Sequence, residues 1–214
     1  MSTHQEAARM KKGWTKSRLR DVATKIGSGA TPLGGEAAYQ SSGISLIRSL
    51  NVHDTGFRMK DLAFIDDQQA AQLDNVIVEG GEVLLNITGA SVARCCIVPD
   101  DIPTAINTKH ICCVTLDRRQ CLPGYLHIYF LHAPQSKEFL AKHAKGAIMA
   151  GLNMGLIQEL PVMLPPIRQQ TAIVEAADAL ATETQRLESL YQQKQAALTA
   201  LKKSLLHQAF SGQL

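Results

Sequence analysis

Hydrophobic positions change their period at one place in the chain. Before the double proline Pro165-Pro166, apolar residues come in short runs broken by glycines and polar loops. After it, no proline or glycine occurs until Gly212. In that tail the apolar residues follow a seven-residue repeat. Ile173, Leu180, Leu187 and Leu201 take one position, with Lys194 the exception. Ala177, Tyr191, Leu198 and Leu205 take a second, with Thr184 the exception. Sustained heptads predict a coiled-coil seam awaiting a partner helix. Pro166 suits the first helical turn, where its missing N–H has no partner to lose and its fixed φ directs the chain. A helix over about 166–207 would be roughly 60 Å long at 1.5 Å per residue. That exceeds the width of a domain of this size. Folding it back as two shorter surface helices would need a breaker, and the run contains none.

The remainder, residues 1–164, is patterned as one α+β domain of mixed sheet and short helices. Trp14 to Ile26 reads as a first strand or a short helix, running into the glycine-rich turn GSGATPLGG. GISLIRSLNV (43–52) is a partly alternating strand followed by a polar loop, and 67–73 a short helix. EGGEVLLNITGASVARCCIVPDD (79–101) predicts two strands around the turn 88–91, and the β-branched run in TKHICCVTLD (108–117) predicts another. From Pro123 helical spacing takes over (Leu126, Ile128, Tyr129, Leu131, Phe139, Leu140). A flexible stretch is expected over 146–155, and LPVMLPP closes the domain as an extended segment.

Charge adds one local feature. The chain is mildly basic at +3, which permits a nucleic-acid partner without demanding one. Residues 1–25 concentrate seven cations (Arg9, Lys11, Lys12, Lys16, Arg18, Arg20, Lys25) against Glu6 and Asp21. They are expected to form a solvated, partly disordered arm or a patch for an anionic partner. No apolar run approaches the roughly 18 residues of a membrane span and there is no signal-peptide core, so a cytosolic protein without a membrane partner is expected.

Motifs for catalysis are missing: no phosphate loop, HExxH, GxSxG or kinase signature. Cys95, Cys96, His110, Cys112 and Cys113 would supply zinc ligands if their two strands paired. Their spacing does not match the knuckles of structural zinc sites, and cysteines in such apolar runs are expected as packed core thiols. Polar residues at strand ends are more informative. Arg48, Ser49, Asn51, Asn86, Thr88, Ser91, Arg94, Asn107, Lys109 and His110 are of the types that read base edges and hold phosphates. Singly each is better accounted for as a solvated loop residue, and only as a set do they point to nucleic acid.

LPPIRQQTAIV, a long heptad helix and the ending LLHQAFSGQL together resemble the conserved helical region of type I restriction–modification specificity subunits. WTKSRLRDVATKIGSGATP and YQSSGISLIRSLNV resemble the opening of their target recognition domain. LLNITGASVARCCIVPDD with AINTKH resembles its centre, and GLNMGLIQELPVMLPP its exit. The resemblance covers about residues 14–214 and implies a non-catalytic subunit whose recognition domain reads half of a bipartite DNA sequence. The helical regions are implied to form an antiparallel coiled coil that spaces two such domains. Methyltransferase and restriction subunits would dock around it, and S-adenosylmethionine, ATP and Mg would serve those partners, with no cofactor or metal in this chain. The usual subunit carries two recognition domains and two helical regions. This sequence has one of each, so it reads as a half subunit, either a half-length subunit or the C-terminal half of a longer one.

The resulting expectations are a recognition domain over 1–164, a dimerisation and spacer helix over 165–214, and an antiparallel homodimer on double-stranded DNA. Ile173, Ala177, Leu180, Leu187, Tyr191, Leu198, Leu201 and Leu205 would form the dimer interface. Arg48, Ser49, Asn51, Thr88, Ser91, Arg94, Asn107, Lys109 and Lys145 would contact DNA. Two other classes remain open: a coiled-coil scaffold whose globular domain binds protein, and a metal- or thiol-dependent enzyme built on the cysteine pairs.

Overall fold

The structure, a computed structural model, describes residues 12–73, 77–144 and 151–212. It divides into two compact units, one running to Thr171 and the other starting at Ala172. The Trp14–Ile26 segment, ambiguous by pattern, holds both elements in succession: β1 (Thr15–Arg18), α1 (Leu19–Val22) and β2 (Ala23–Ser28). Arg18 starts the helical turn by bonding Asp21 through its backbone N–H (3.2 Å) and its guanidinium (2.9 Å). The expectation of a partly disordered basic arm is therefore corrected for part of its length. Arg18 and Arg20 pair with Asp21 and Glu159, and Lys25 pairs with Glu82. The arm up to residue 11 lies outside the described residues.

Two four-stranded sheets form the centre of the first unit. One has the order β6-β3-β10-β7 and the other β2-β11-β8-β9. The first combines β3 (Ile44–Ile47), β6 (Ala63–Ile65), β7 (Ile77–Val78) and β10 (Ala105–Asn107). Only its β3–β10 pair is parallel, which makes the sheet mixed, as expected. The second joins β2 to β8 (Val83–Asn86), β9 (Cys95–Ile97) and β11 (Ile111–Leu116), all antiparallel. The pair β4 (Val52–His53) and β5 (Gly56–Phe57) forms a small hairpin.

Strand alternation divides the core. Ile47 and Ala105 join Val52, Leu84, Cys96, Ile111 and Cys113 in one buried cluster. Their neighbours Leu46 and Ile106 join Ala63 and Ile65 in another, against Ala70 and Leu73 at α2 (Asp67–Ala71). Beneath the second sheet, Glu82 is a buried carboxylate. It accepts from Lys25 (2.6 Å), the Cys113 thiol (2.9 Å), the Glu79 N–H (2.9 Å) and the Thr115 hydroxyl. Burial works against its charge, but these donors outweigh burial and hold its pKa below the usual carboxylate range.

The helical stretch after Pro123 is two helices, α3 (Pro123–His132) and α4 (Pro134–Ala144). Ala133 between them is extended, the conformation a following proline imposes. Part of the segment expected to be flexible is helical: α5 (Met154–Gln158) is capped by Asn153, whose side chain accepts from the Leu156 N–H at 2.9 Å. LPVMLPP yields β12 (Pro161–Leu164), which pairs with β1 and closes the domain on its own beginning. The Tyr125 and Tyr129 hydroxyls donate to the Met163 and Pro161 carbonyls, fastening α3 to β12.

The long helix α6 runs Ile167–Phe210, three residues beyond its expected end. Its first turn belongs to the first unit. Gln170 is fully buried there, donating to the Gln120 and Pro165 carbonyls and accepting from the Leu122 N–H, each at 2.9 Å. From Ala172 on the second unit is helix, with its apolar stripe exposed. Leu180 is 69% accessible, Tyr191 70% and Leu198 66%. Leu187, Leu201 and Leu205 are exposed too, Ile173 and Ala177 are half-buried, and Leu190, Leu206 and Phe210 widen the apolar surface. Among the described residues no helix is long and apolar enough to cross a membrane.

Candidate nucleic-acid interface

Three asparagines organise one end of the sheets. β8 ends at Asn86 and β10 at Asn107, while Asn51 closes the 3-10 turn Ser49–Asn51 that follows β3. All three are buried. A buried amide calls for partners, and the side-chain N–H groups of these three find theirs in neighbouring segments. Asn51 accepts from the Arg48 N–H (2.9 Å) and donates to the Arg58 and Lys60 carbonyls. Asn86 donates to the Ser49 carbonyl and to the Ser91 hydroxyl, both at 3.0 Å. Asn107 donates to the Ile111 carbonyl at 2.9 Å. Backbone bonds continue the stitching, from the Thr108 N–H to Ile47 (3.0 Å) and from the Ile87 N–H to His110 (2.9 Å). Gly29 lets the glycine-rich segment lie against this end, because a Cβ there would overlap the Asn107 carbonyl.

The loops 48–51, 88–94 and 108–110 are thus brought together, with most of the sequence-predicted contact residues on them. Arg94, Lys109 and His110 are exposed, and Arg48, Ser49, Thr88 and Ser91 are partly so. The Thr88 hydroxyl bonds the His110 ring Nδ1 at 2.7 Å. Arg48 lies over the Tyr39 ring, 5.1 Å from its centroid, and donates through Nη2 to the Asp61 carbonyl at 2.6 Å. An open cleft of about 330 Å³ runs beside it, lined in part by Thr31, Glu36, Tyr39, Arg48, Thr108 and His110.

Two expected contact residues change role. Asn51 and Asn107 are at most 1% accessible, and their amides are turned inward to tie the loops and do not stand on the surface as expected. Lys145 lies outside the described residues. The pattern missed Thr31, Glu36, Tyr39 and Thr108. Tyr39 alone carried a signal, as an aromatic in a polar loop of a chain with only 5% aromatics.

The cysteines are packed thiols. All five are free and buried. β9 and β11 do not pair as a zinc site would require, because β8 lies between them. Burial pushes the Cys96 and Cys112 thiols up to about 12, so both are protonated at neutral pH and poor as ligands or nucleophiles. Among the described residues no group of three His, Cys, Asp or Glu is placed to hold a metal ion.

The chain thus combines a mixed-sheet unit bearing a loop-borne polar surface with one long helix whose heptad face is exposed. The chain belongs to the type I restriction modification DNA specificity domain family, whose model matches residues 11–198. It is 27% identical over 172 residues to the type I restriction enzyme EcoBI specificity subunit of Escherichia coli, covering 80% of this chain and 36% of that protein. In fold it resembles a chain from a structure describing complex assembly and conformational transition of the type I R-M system (TM-score 0.73, 18% identity). That match covers 96% of this chain and 47% of the other. The HsdS subunit from Thermoanaerobacter tengcongensis gives a TM-score of 0.64 at 19% identity, over 96% of this chain and 46% of its own. This chain therefore spans about a third of the curated relative and just under half of the solved ones. Specificity subunits are the non-catalytic members of their complexes, the chemistry belonging to partner subunits.

Proposed function

We propose that this chain acts as a half specificity subunit in the cytoplasm, reading DNA with its first unit and pairing through α6 with a second copy. The observation that carries the reading is the uncovered apolar face of α6. An isolated amphipathic helix of 44 residues leaves its seam in water, and a partner helix is what removes it. Antiparallel pairing would set two identical heads at opposite ends of a coil. Two-fold symmetry then makes the target an inverted repeat with a fixed gap. Arg48, Ser49, Thr88, Ser91, Arg94, Lys109 and, beyond the described residues, Lys145 are the proposed DNA contacts. The partners are double-stranded DNA, a second copy, and methyltransferase and restriction subunits. S-adenosylmethionine, ATP and Mg serve those subunits, and this chain itself holds no cofactor.

Sedimentation at tens of micromolar is expected to give a dimer, and a strict monomer contradicts the pairing. Gel shifts on random duplex DNA should weaken steeply with salt, on the order of 10³-fold between 50 and 200 mM for about six neutralised phosphates. Salt-insensitive behaviour or absent binding would favour a protein-binding scaffold, which the nearly neutral charge of the first 164 residues (17 basic against 15 acidic) also permits.

A further inference from the structure

We infer that the cleft beside Tyr39 reads a single G·C base pair in the major groove, Arg48 donating to the guanine and Glu36 accepting from the cytosine amino group. This rests on the DNA-reading role proposed above and names what one part of that surface reads.

A guanine edge presents two adjacent acceptors, O6 and N7, which a guanidinium meets with two parallel N–H groups. The paired cytosine presents an amino donor that a carboxylate accepts. Both protein groups line the cleft. Arg48 Nη1 stands 3.9 Å from Glu36 Oε1, beyond hydrogen-bond reach, so neither group uses up the other. Guanine O6 and cytosine N4 are bonded neighbours within the pair, and a donor and an acceptor held a few ångströms apart match that edge.

Arg48 is held in place before any ligand arrives. Its guanidinium lies over Tyr39, and one Nη2 N–H bonds the Asp61 carbonyl. Asp61 has a φ of 61°, a left-handed conformation uncommon for a residue with a side chain. Of the five guanidinium N–H groups, the two on Nη1 and one on Nη2 have no hydrogen-bond acceptor among the described residues. Among the described residues, Arg48 Nε and the Thr108 hydroxyl are buried at the cleft with no hydrogen-bond partner. An unsatisfied buried donor is costly until an acceptor reaches it. Phosphate fits the place poorly, since Glu36 would repel it and phosphate offers that carboxylate no donor. Glu36 is 87% exposed, free to adjust on the 3-10 turn Gly35–Ala38 that carries it.

The test is selection of binding sites by the full chain from a randomised duplex DNA library, for wild type, Arg48→Ala and Glu36→Ala. Wild type should enrich a defined site. Arg48→Ala should relax one G·C position, the same one in each half-site, by roughly 5- to 150-fold and leave the others intact. Glu36→Ala, a substitution on an exposed turn that leaves the core untouched, should relax that same position. Relaxation at an A·T position, or at different positions in the two variants, overturns the inference. Uniform weakening by Arg48→Ala with a salt slope reduced by about one makes Arg48 a phosphate contact and also overturns it. Unchanged selection by both variants overturns it while leaving the DNA-reading role in place. A wild-type chain that enriches no sequence removes that role, and the inference with it.

Discussion

Leu84 and Leu198 are the same residue in opposite circumstances. Leu84 sits on the central sheet with no accessible surface, whereas Leu198, on the long helix, is 66% accessible. The first unit completes its hydrophobic core within one chain. Two sheets share one apolar cluster, and a second cluster fills the outer face of β3 and β10. The second unit has equal apolar regularity, and among the described residues its stripe is exposed. Heptad periodicity thus reports a surface that an element is built to bury, and the covering group can lie in another molecule. The two units should therefore respond to substitution independently, one in folding stability and the other in association.

Charge or truncation in the seam gives the largest effect. Leu187→Ala with Leu198→Ala removes four leucines from a two-fold dimer, costing roughly 8 kcal/mol of association at about 2 kcal/mol each. Sedimentation should show monomers while the thermal unfolding of the first unit stays put. A dimer that survives would place the contact elsewhere.

Glu82→Ala should do the converse. It leaves Thr115, the Cys113 thiol and the Glu79 N–H without their acceptor and Lys25 with only the Ile77 carbonyl. The cost is about 3 kcal/mol of first-unit stability, at the low end for a broken buried pair because Lys25 is 41% exposed. Denaturant unfolding measures it, and dimerisation should be unaffected. The same cluster sets a pH window. The Glu82 pKa is depressed on folding, so its contribution is full above the unfolded value of about 4.3 and lost as pH falls through the folded value. The Lys25 pKa is raised: burial is the largest influence and opposes its charge, but the bond to Glu82 and the neighbouring negative charge together outweigh it. Its contribution is full below about 10.4 and lost as pH rises through the folded value. Stability measured against pH should drop at both ends in wild type, and the Glu82→Ala variant should show a shallower acid limb.

Gln170→Ala probes the border between the two behaviours and should have the smallest effect. It unpairs the Leu122 N–H and the Gln120 and Pro165 carbonyls, costing about 2 kcal/mol. The loss should appear in unfolding of the first unit and not in dimer dissociation. An effect on association alone would assign the first helical turn to the coil instead.

Features written in local pattern were legible from the sequence. The helix was plain because no proline or glycine interrupts its heptads, and β8, β9 and β11 because their residues are β-branched or apolar in short runs. The family was carried by the LPP junction and the tail. What escaped depends on contacts distant in the chain. Nothing local says that β1 pairs with β12, that β3 and β10 run parallel, or that Glu82 collects Lys25 and Cys113. Asn51 and Asn107 are expected among the DNA contacts because asparagine is common at such contacts. The structure shows the other use of a loop asparagine, an amide turned inward to tie neighbouring segments. Tyr39 and Glu36 reach the cleft only because the glycine-rich segment folds back over the ends of β3 and β10.

Selection of duplex DNA by the wild-type chain tests the central claim most directly, because one readout reports both reading and pairing. A symmetric pair of heads on an antiparallel coil predicts two identical half-sites, inverted and separated by a gap of constant length. Enrichment of a single half-site with no preferred spacing would contradict it.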